Sequence, residues 1–375
     1  MSTHLVHGMG LEPVAPDWPE LTLAEADALL RRFPEAGSAV QIVWHSPRPL
    51  SAAGLVRTAR GGKVFVKRHH GAVRPVSGLL EEHGFLAYLR ARGAAVVRVL
   101  ADEHGATAVR RGEWTYEVHS VAAGDDLYRD ALSWSPFAAP EHARATGRAL
   151  ARIHGAAAGY DAPARGPLPL VGGFTVFAAD DPLNAVEAYA AARPAVAVEL
   201  AGRPWRADAE RWHLPFHDRL RPHLAALEPL WTHNDLHASN LLWSADGTRA
   251  TAVIDFGLAD RAFAVHDLAV ALERNTVAWL EPEADRRADL AAATALIEAY
   301  LEVRALSDAE RAALPDLLPL CHADYALSEI DYFRRVTQSV ENTELAYRYL
   351  VDHTAWFTTP AGAALVERIR RVLER

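Results

Sequence analysis

The chain has 375 residues, half of them hydrophobic and 23% charged, the balance of a globular protein with a substantial core. A formal net charge of −9 argues against a general nucleic-acid binder. No run approaches the roughly 18 uninterrupted apolar residues of a membrane-spanning helix, and Met1–Gly10 lacks the basic-then-apolar layout of a secretory signal. The single cysteine, Cys321, rules out an internal disulfide framework and suits a reducing compartment. The expectation is a cytoplasmic protein with no nucleic-acid or membrane partner; its oligomeric state is not readable.

Leu23–Phe33 has the pattern of a short helix. Val40–Trp44, Gly54–Thr58, Lys63–Lys67, Thr107–Arg110 and Trp114–Val118 are short β-branched or aromatic runs between Gly, Pro and charged turns, and predict an antiparallel sheet. One amphipathic helix, Val76 to Arg92, interrupts them and stops at Gly93. After Gly124 helical periodicity dominates: Pro140–Ala157, Pro182–Arg193, Ala207–Leu227, His266–Leu280, Ala284–Val303, Asp308–Leu318, His322 to about Val351, and Pro360–Glu374. Ala162–Pro182, rich in Pro and Gly, predicts a loop. Within Leu230–Ile254, the apolar runs Asn240–Trp243 and Ala252–Ile254 flank Ala245-Asp246-Gly247, a hairpin signature. The predicted class is α+β with two lobes: an extension over 1–35, a small sheet lobe with one helix over 36–119, a connector at 120–126, and a large helical lobe over 127–375.

The most specific motif is His233-Asn234-Asp235-Leu236-His237-Ala238-Ser239-Asn240. It agrees with the kinase catalytic loop H-R-D-L-x-x-x-N at every fixed position but the Arg, here Asn234. Fifteen residues after Asn240 (255 − 240) stands Asp255-Phe256-Gly257. The intervening hairpin would return Asp255 beside Asn240, so that both hold Mg²⁺ through hard oxygen ligands on ATP phosphates. Asp235 would accept the proton of an acceptor hydroxyl and orient it for in-line attack.

A lysine for the α- and β-phosphates is expected at a strand end, and Val64-Phe65-Val66-Lys67 stands like V-A-I-K. Alternation sends Phe65 and Lys67 to one face, which would put Phe65 against adenine. The carboxylate partner of Lys67 is expected on the following helix, at Glu82 on the Leu79, Leu86, Leu89 stripe, with Glu81 as the fallback. There is no Walker A and no G-x-G-x-x-G; Ser51, in Ser46–Gly54, is the expected phosphate-loop donor. The strand Trp114–His119 before Gly124 has the look of a hinge whose Glu117 and His119 backbone groups pair with the base.

On Lys67, Glu82, the loop 233–240, Asp255-Phe256-Gly257 and His266-Asp267-Leu268-Ala269, the sequence resembles the aminoglycoside phosphotransferase family, which includes homoserine kinase type II and, more distantly, choline kinases. The resemblance spans about residues 36 to 350. It implies a protein-kinase-like fold and an ATP- and Mg²⁺-dependent phosphotransferase acting on a small-molecule hydroxyl acceptor: an aminoglycoside, amino sugar, nucleoside antibiotic or amino alcohol. It also implies that Asp267 braces the catalytic loop that begins at His233. Asn234 replaces the Gly usual in the drug-modifying branch, and Leu327–Phe333 matches no acceptor signature. Asp260, Asp324, Glu329 and Asp331 are candidates to neutralise an ammonium group, and Trp134 and Tyr332 to stack on a sugar or cation.

Two other readings stand beside this one. His233, Asp235 and His237 alternate, which on an extended segment would line one face as a metal-dependent hydrolase site. A catalytically inactive kinase fold would serve as a binding module. A protein kinase is disfavoured, since no Ala-Pro-Glu follows Asp255.

Overall fold

The computed structural model describes residues 5–9, 12–283 and 286–375. The chain folds into two compact units, Met1–Ala123 and Gly124–Arg375. The first opens with a two-residue pair, β1 (Val6–His7) and β2 (Pro13–Val14), then α1 (Leu23–Leu30). Its body is an antiparallel sheet of β3 (Ala39–His45), β4 (Ala52–Thr58), β5 (Lys63–His70), β6 (Ala108–Arg111) and β7 (Trp114–Ser120), in the order β3-β4-β5-β7-β6, with α2 (Val76–Ala91) between β5 and β6 in sequence. The strand period of two sorts the central residues. Val64, Val66, Tyr116 and Val118 join Leu29, Leu30 and Phe33 of the α1 region in one buried core. Thr22 and Glu25 form a capping box that starts α1. Glu25 also takes hydrogen bonds from Arg68 (2.8 Å) and Tyr116 (2.5 Å), so the carboxylate that caps the helix also docks it on the sheet.

The second unit is mostly helical: α3 (Pro140–Ala157), α4 (Pro182–Ala191), α5 (Pro194–Ala201), α6 (Trp205–Asp208), α7 (Leu214–Leu224), α8 (Ala264–Thr276), α9 (Leu290–Leu301), α10 (Asp308–Leu317), α11 (Ala323–Asp331), α12 (Val340–Trp356) and α13 (Pro360–Leu373). Two short antiparallel pairs are set among them, β9 (Leu241–Trp243) with β10 (Ala250–Val253), and β8 (Pro229–Thr232) with β11 (Asp260–Phe263). Helix α3 lies so close to α9 that a Cβ at Gly147 would stand 2.2 Å from the Leu296 carbonyl oxygen, an approach only glycine allows. Among the described residues no helix is long and apolar enough to cross a membrane.

The predicted fold class holds, and the departures are in helix continuity. Pro182–Arg193 ends at Ala191, and Pro194 starts a separate helix, as its fixed φ favours a first turn. Ala207–Leu227 is α6 and α7 joined through a π-turn at Ala209–His213. His322–Val351 breaks into α11, a π-turn at Tyr332–Thr337 and α12, where Gln338 takes φ +55°. The predicted start of the helix Ala284–Val303 lies, with Asp285, outside the described residues; α9 runs from its Asp289 cap. The β8–β11 pair was not foreseen, because four-residue strands carry too little alternation to be seen among helices. The predicted loop before α4 is irregular yet buries Leu170, Val171, Phe174 and Phe177.

Candidate functional site

Strand β8 delivers the chain into the segment 233–240, and two carboxylate oxygens fix how it turns. Asp267, at the first turn of α8, accepts the backbone N–H groups of His233 (2.8 Å, Oδ2) and Asn234 (2.8 Å, Oδ1). Asn234 is thereby held at φ +60°, a left-handed conformation that asparagine tolerates. Its side chain closes the turn by accepting from Thr232 Oγ1 (2.7 Å) and donating to the Leu258 carbonyl (3.3 Å). Gly172 abuts this turn, where a Cβ would meet Asn234 Cβ at 2.7 Å and the Leu258 oxygen at 2.8 Å. Burial pushes the Asp267 carboxyl up, but hydrogen bonds from His154 and the loop outweigh it and leave the group below its usual range. His154 reaches Asp267 through Nε2 (3.0 Å) and Tyr300 Oη through Nδ1 (2.7 Å). Arg304 donates to the same Tyr300 oxygen (3.1 Å) and to Glu310 (2.8 Å), the capping-box residue of α10.

The hairpin brings the chemistry-bearing residues together. Val253 pairs with Leu241, and the Ile254 N–H donates to the Asn240 carbonyl (2.9 Å), so Asp255 follows directly on Asn240's neighbour. His233 Nε2 donates to the Ile254 carbonyl (2.9 Å), and its Nδ1 accepts the Asp235 N–H (3.2 Å). Both ring nitrogens thus serve the loop, and the left-handed turn at Asn234 removes the extended alternation on which an H-x-D-x-H metal site depends. Asn240 Nδ2 donates to the Asp235 carbonyl (2.9 Å) and to Asp235 Oδ2 (3.3 Å), which leaves the amide oxygen on the side away from Asp235. Asp255 is exposed, at φ +60°.

Asp235 is 18% exposed at its side chain, and its other oxygen, Oδ1, accepts from Arg274 Nη1 at 2.5 Å. Burial raises the Asp235 pKa, and Arg274 and His233 oppose the rise. Arg274 is itself buried, its guanidinium 4.5 Å from the Trp134 ring centre and 5.0 Å from that of Tyr325. Trp134 sits at φ +65°, a strained state for a large side chain that costs on the order of 1–2 kcal/mol. So Trp134 stacks on the protein's own cation, and Tyr332 is fully buried against Phe333. Of the four acids, Asp260 accepts the N–H groups of Arg165 and Arg261, Asp324 those of Thr175 and Val176, and Asp331 pairs with Arg335. Glu329 is buried and pushed up to about 8 by desolvation, its Oε2 without a hydrogen-bond partner among the described residues. Arg274 escaped the sequence reading. The signal that could have found it was its position seven residues, two helical turns, after Asp267 (274 − 267), on the same face of α8.

In the first unit, Lys67 is buried on β5, with Nζ 4.0 Å from Glu117 Oε1 on β7. Phe65, two residues before it, is half-buried beside Trp44 at 6.3 Å. Glu82 is buried on α2, and Ser51 lies in a shallow depression with Trp18, Glu20 and Leu21. The expected hinge roles of Glu117 and His119 are corrected. Ser120 donates to Arg98 and Leu100 to Val118, so the alternate residues 117 and 119 turn their backbone groups to β5, opposite Lys67 and Phe65. Their side chains instead form a buried cluster: Glu117 accepts from His69 (2.9 Å), His83 (2.9 Å) and His119 (2.8 Å), each through Nε2. Desolvation alone would raise Glu117; His119 and the other donors hold it well below the usual carboxylate range. His83 was missed because its partner Glu117 stands 34 residues away on β7, a pairing that no spacing within α2 signals.

A family model described as the phosphotransferase enzyme family matches residues 51–306. Homoserine kinase from Nitrobacter winogradskyi is 39% identical over 108 residues, covering 26% of this chain and 31% of that enzyme. The chain spans about a third to a half of the length of the first curated relatives it matches. Among solved structures, a choline/ethanolamine kinase family protein from Mesorhizobium loti superposes with a TM-score of 0.55 at 14% identity, covering 93% of this chain and 99% of that one. A microcompartment-associated aminopropanol kinase gives 0.53 at 18% identity, covering 94% and 98%. At these identities the structural likeness is one of fold.

Proposed function

Since the chain belongs to the phosphotransferase enzyme family, we propose that it transfers the γ-phosphoryl group of ATP to a hydroxyl of a small molecule, with Asp235 as the base. The observation that supports this best is the hydrogen-bonded placement of Asp235 and Asn240 beside the turn that carries Asp255. The Asn240 amide oxygen and the exposed Asp255 carboxylate are a hard oxygen pair suited to Mg²⁺, which when bound supplies charge neutralisation of phosphate oxygens. Lys67, with Glu117 beside its Nζ, would hold the α- and β-phosphates, while Glu82 and Ser51 remain candidates for support of the lysine and of the phosphate loop. Adenine would meet Phe65. Asp235 would receive the acceptor's proton on the oxygen that Arg274 does not hold, orienting the alcohol for attack.

The acceptor is proposed to be a small amino alcohol or hydroxy amino acid rather than a polycationic aminoglycoside. Asp260, Asp324 and Asp331 are engaged within the fold, and Glu329 is held neutral near pH 7, so a row of free carboxylates for many ammonium groups is not formed by them. The test is ADP release from Mg·ATP across homoserine, 1-amino-2-propanol, choline and kanamycin. Turnover dependent on one of the smaller alcohols supports the reading; zinc-dependent hydrolysis without nucleotide would overturn it.

A further inference from the structure

We infer that Arg274 is a positioning residue for the proposed phosphoryl transfer, acting through Asp235 and held in place by a clamp of Trp134 and Tyr325. The inference rests on the reading of Asp235 as the base. Asp235 has two oxygens with different surroundings. Oδ1 is bound by Arg274 Nη1 at 2.5 Å, whereas Oδ2 has a 3.3 Å contact from Asn240 and lies 3.9 Å from His237 Nε2. A single-point hold on one oxygen of a carboxylate that is otherwise partly open fixes its rotation and presents the second oxygen to an incoming hydroxyl. Restricting that rotation matters because orientation within a near-attack geometry carries a large share of the barrier in this class of chemistry.

The hold needs a rigid arginine, and the surroundings of Arg274 supply rigidity by an unusual route. The side chain is 2% exposed, and among the described residues its Nε has no hydrogen-bond partner and Asp235 is the one carboxylate at ion-pair distance. The guanidinium plane is fixed by the rings of Trp134 and Tyr325 rather than by further acids. Trp134 adopts a left-handed backbone at φ +65° while holding its ring in that stack, and Tyr349 backs it at 5.3 Å. Backbone strain tolerated in a large residue at such a place marks a constrained functional arrangement. Arg274 is seated on α8, the helix whose first turn carries Asp267, so one rigid element fixes both the loop backbone and the orientation of its carboxylate.

The experiment compares the full chain with Arg274→Ala, Arg274→Lys, Trp134→Leu, Asp235→Asn and the double variant Arg274→Ala/Asp235→Asn. ADP release from Mg·ATP is followed with water alone and with homoserine, 1-amino-2-propanol and kanamycin as probes. Arg274→Ala is expected to lower kcat by about 100-fold with the ATP KM changed less than about 2-fold. Guanidinium at about 20 mM is expected to recover at least roughly 10-fold in that variant and nothing in Asp235→Asn, and the double variant is to be no worse than Asp235→Asn alone. Retained turnover in Arg274→Ala, a loss additive with that of Asp235→Asn, or no recovery with guanidinium overturns the inference. If Arg274→Ala does not fold, the decision falls to Arg274→Lys and Trp134→Leu, and parental kcat in both overturns it. Parental turnover in Asp235→Asn would instead sink the reading of the base, a separate failure.

Discussion

At Asp235, desolvation and a neighbouring guanidinium act in opposite senses on one carboxylate, and the loop hydrogen bonds decide where it points. Replacing it with Asn keeps the shape and removes the proposed proton acceptor; kcat should fall by about 10²–10⁴ while nucleotide affinity stays near parental, measured by steady-state ADP release and calorimetry. Glu329 offers a test that does not involve turnover. Its carboxyl ionises near 4.5 when unfolded and is raised to about 8 in the fold, so between those values the folded state holds a proton that the unfolded chain has lost. Stability from this group is complete below 4.5 and declines as pH climbs towards 8. Glu329→Gln should therefore raise Tm relative to the parent by more at about pH 8 than at about pH 5, read by thermal unfolding at both; an equal shift at the two values would refute the assignment. The loop residues were legible because their spacing is rigid in sequence. Arg274, His69 and His83 were not, because each joins its partner across a fold that local pattern does not encode.

At the level of elements, the five-stranded sheet of the first unit and its helices α1 and α2 were readable from alternation and glycine stops, and α3 from its periodicity, whereas the two-residue strands β1 and β2 were too short to show any. The breaks in the second unit were not, since a π-turn inserts one residue into an otherwise helical run, and only tertiary packing selects where. The irregular segment before α4 is the clearest example of a part whose role its composition hides. It reads as loop, yet Gly172 wedges against the Asn234 turn. Gly172→Ala must displace either Asn234 or the Leu258 carbonyl by several tenths of an ångström. We predict a stability loss of about 1–3 kcal/mol and a fall in kcat of roughly 10- to 100-fold, checked by urea unfolding beside the rate assay. Gly147→Ala should likewise destabilise, by at least about 2 kcal/mol, through the α3–α9 approach, checked by urea unfolding.

For the molecule as a whole, the chain combines a sheet unit that carries Lys67 with a helical unit that carries Asp235, Asn240 and Asp255. A non-hydrolysable ATP analogue should raise Tm, and adding Mg²⁺ should raise it further, because whatever binds only the native state stabilises it by mass action. In Asp255→Ala the Mg²⁺ increment should vanish while a nucleotide increment persists; a full increment in that variant would take the metal role away from Asp255.

The bonds that run from Asp267 through His154, Tyr300 and Arg304 to Glu310 give this architecture a remote point of failure. A lesion at the start of α10, far along the chain from any reacting atom, would slacken a tether whose other end sets the turn at Asn234. Such a change would first be noticed as a slow enzyme, and only later as an unstable protein.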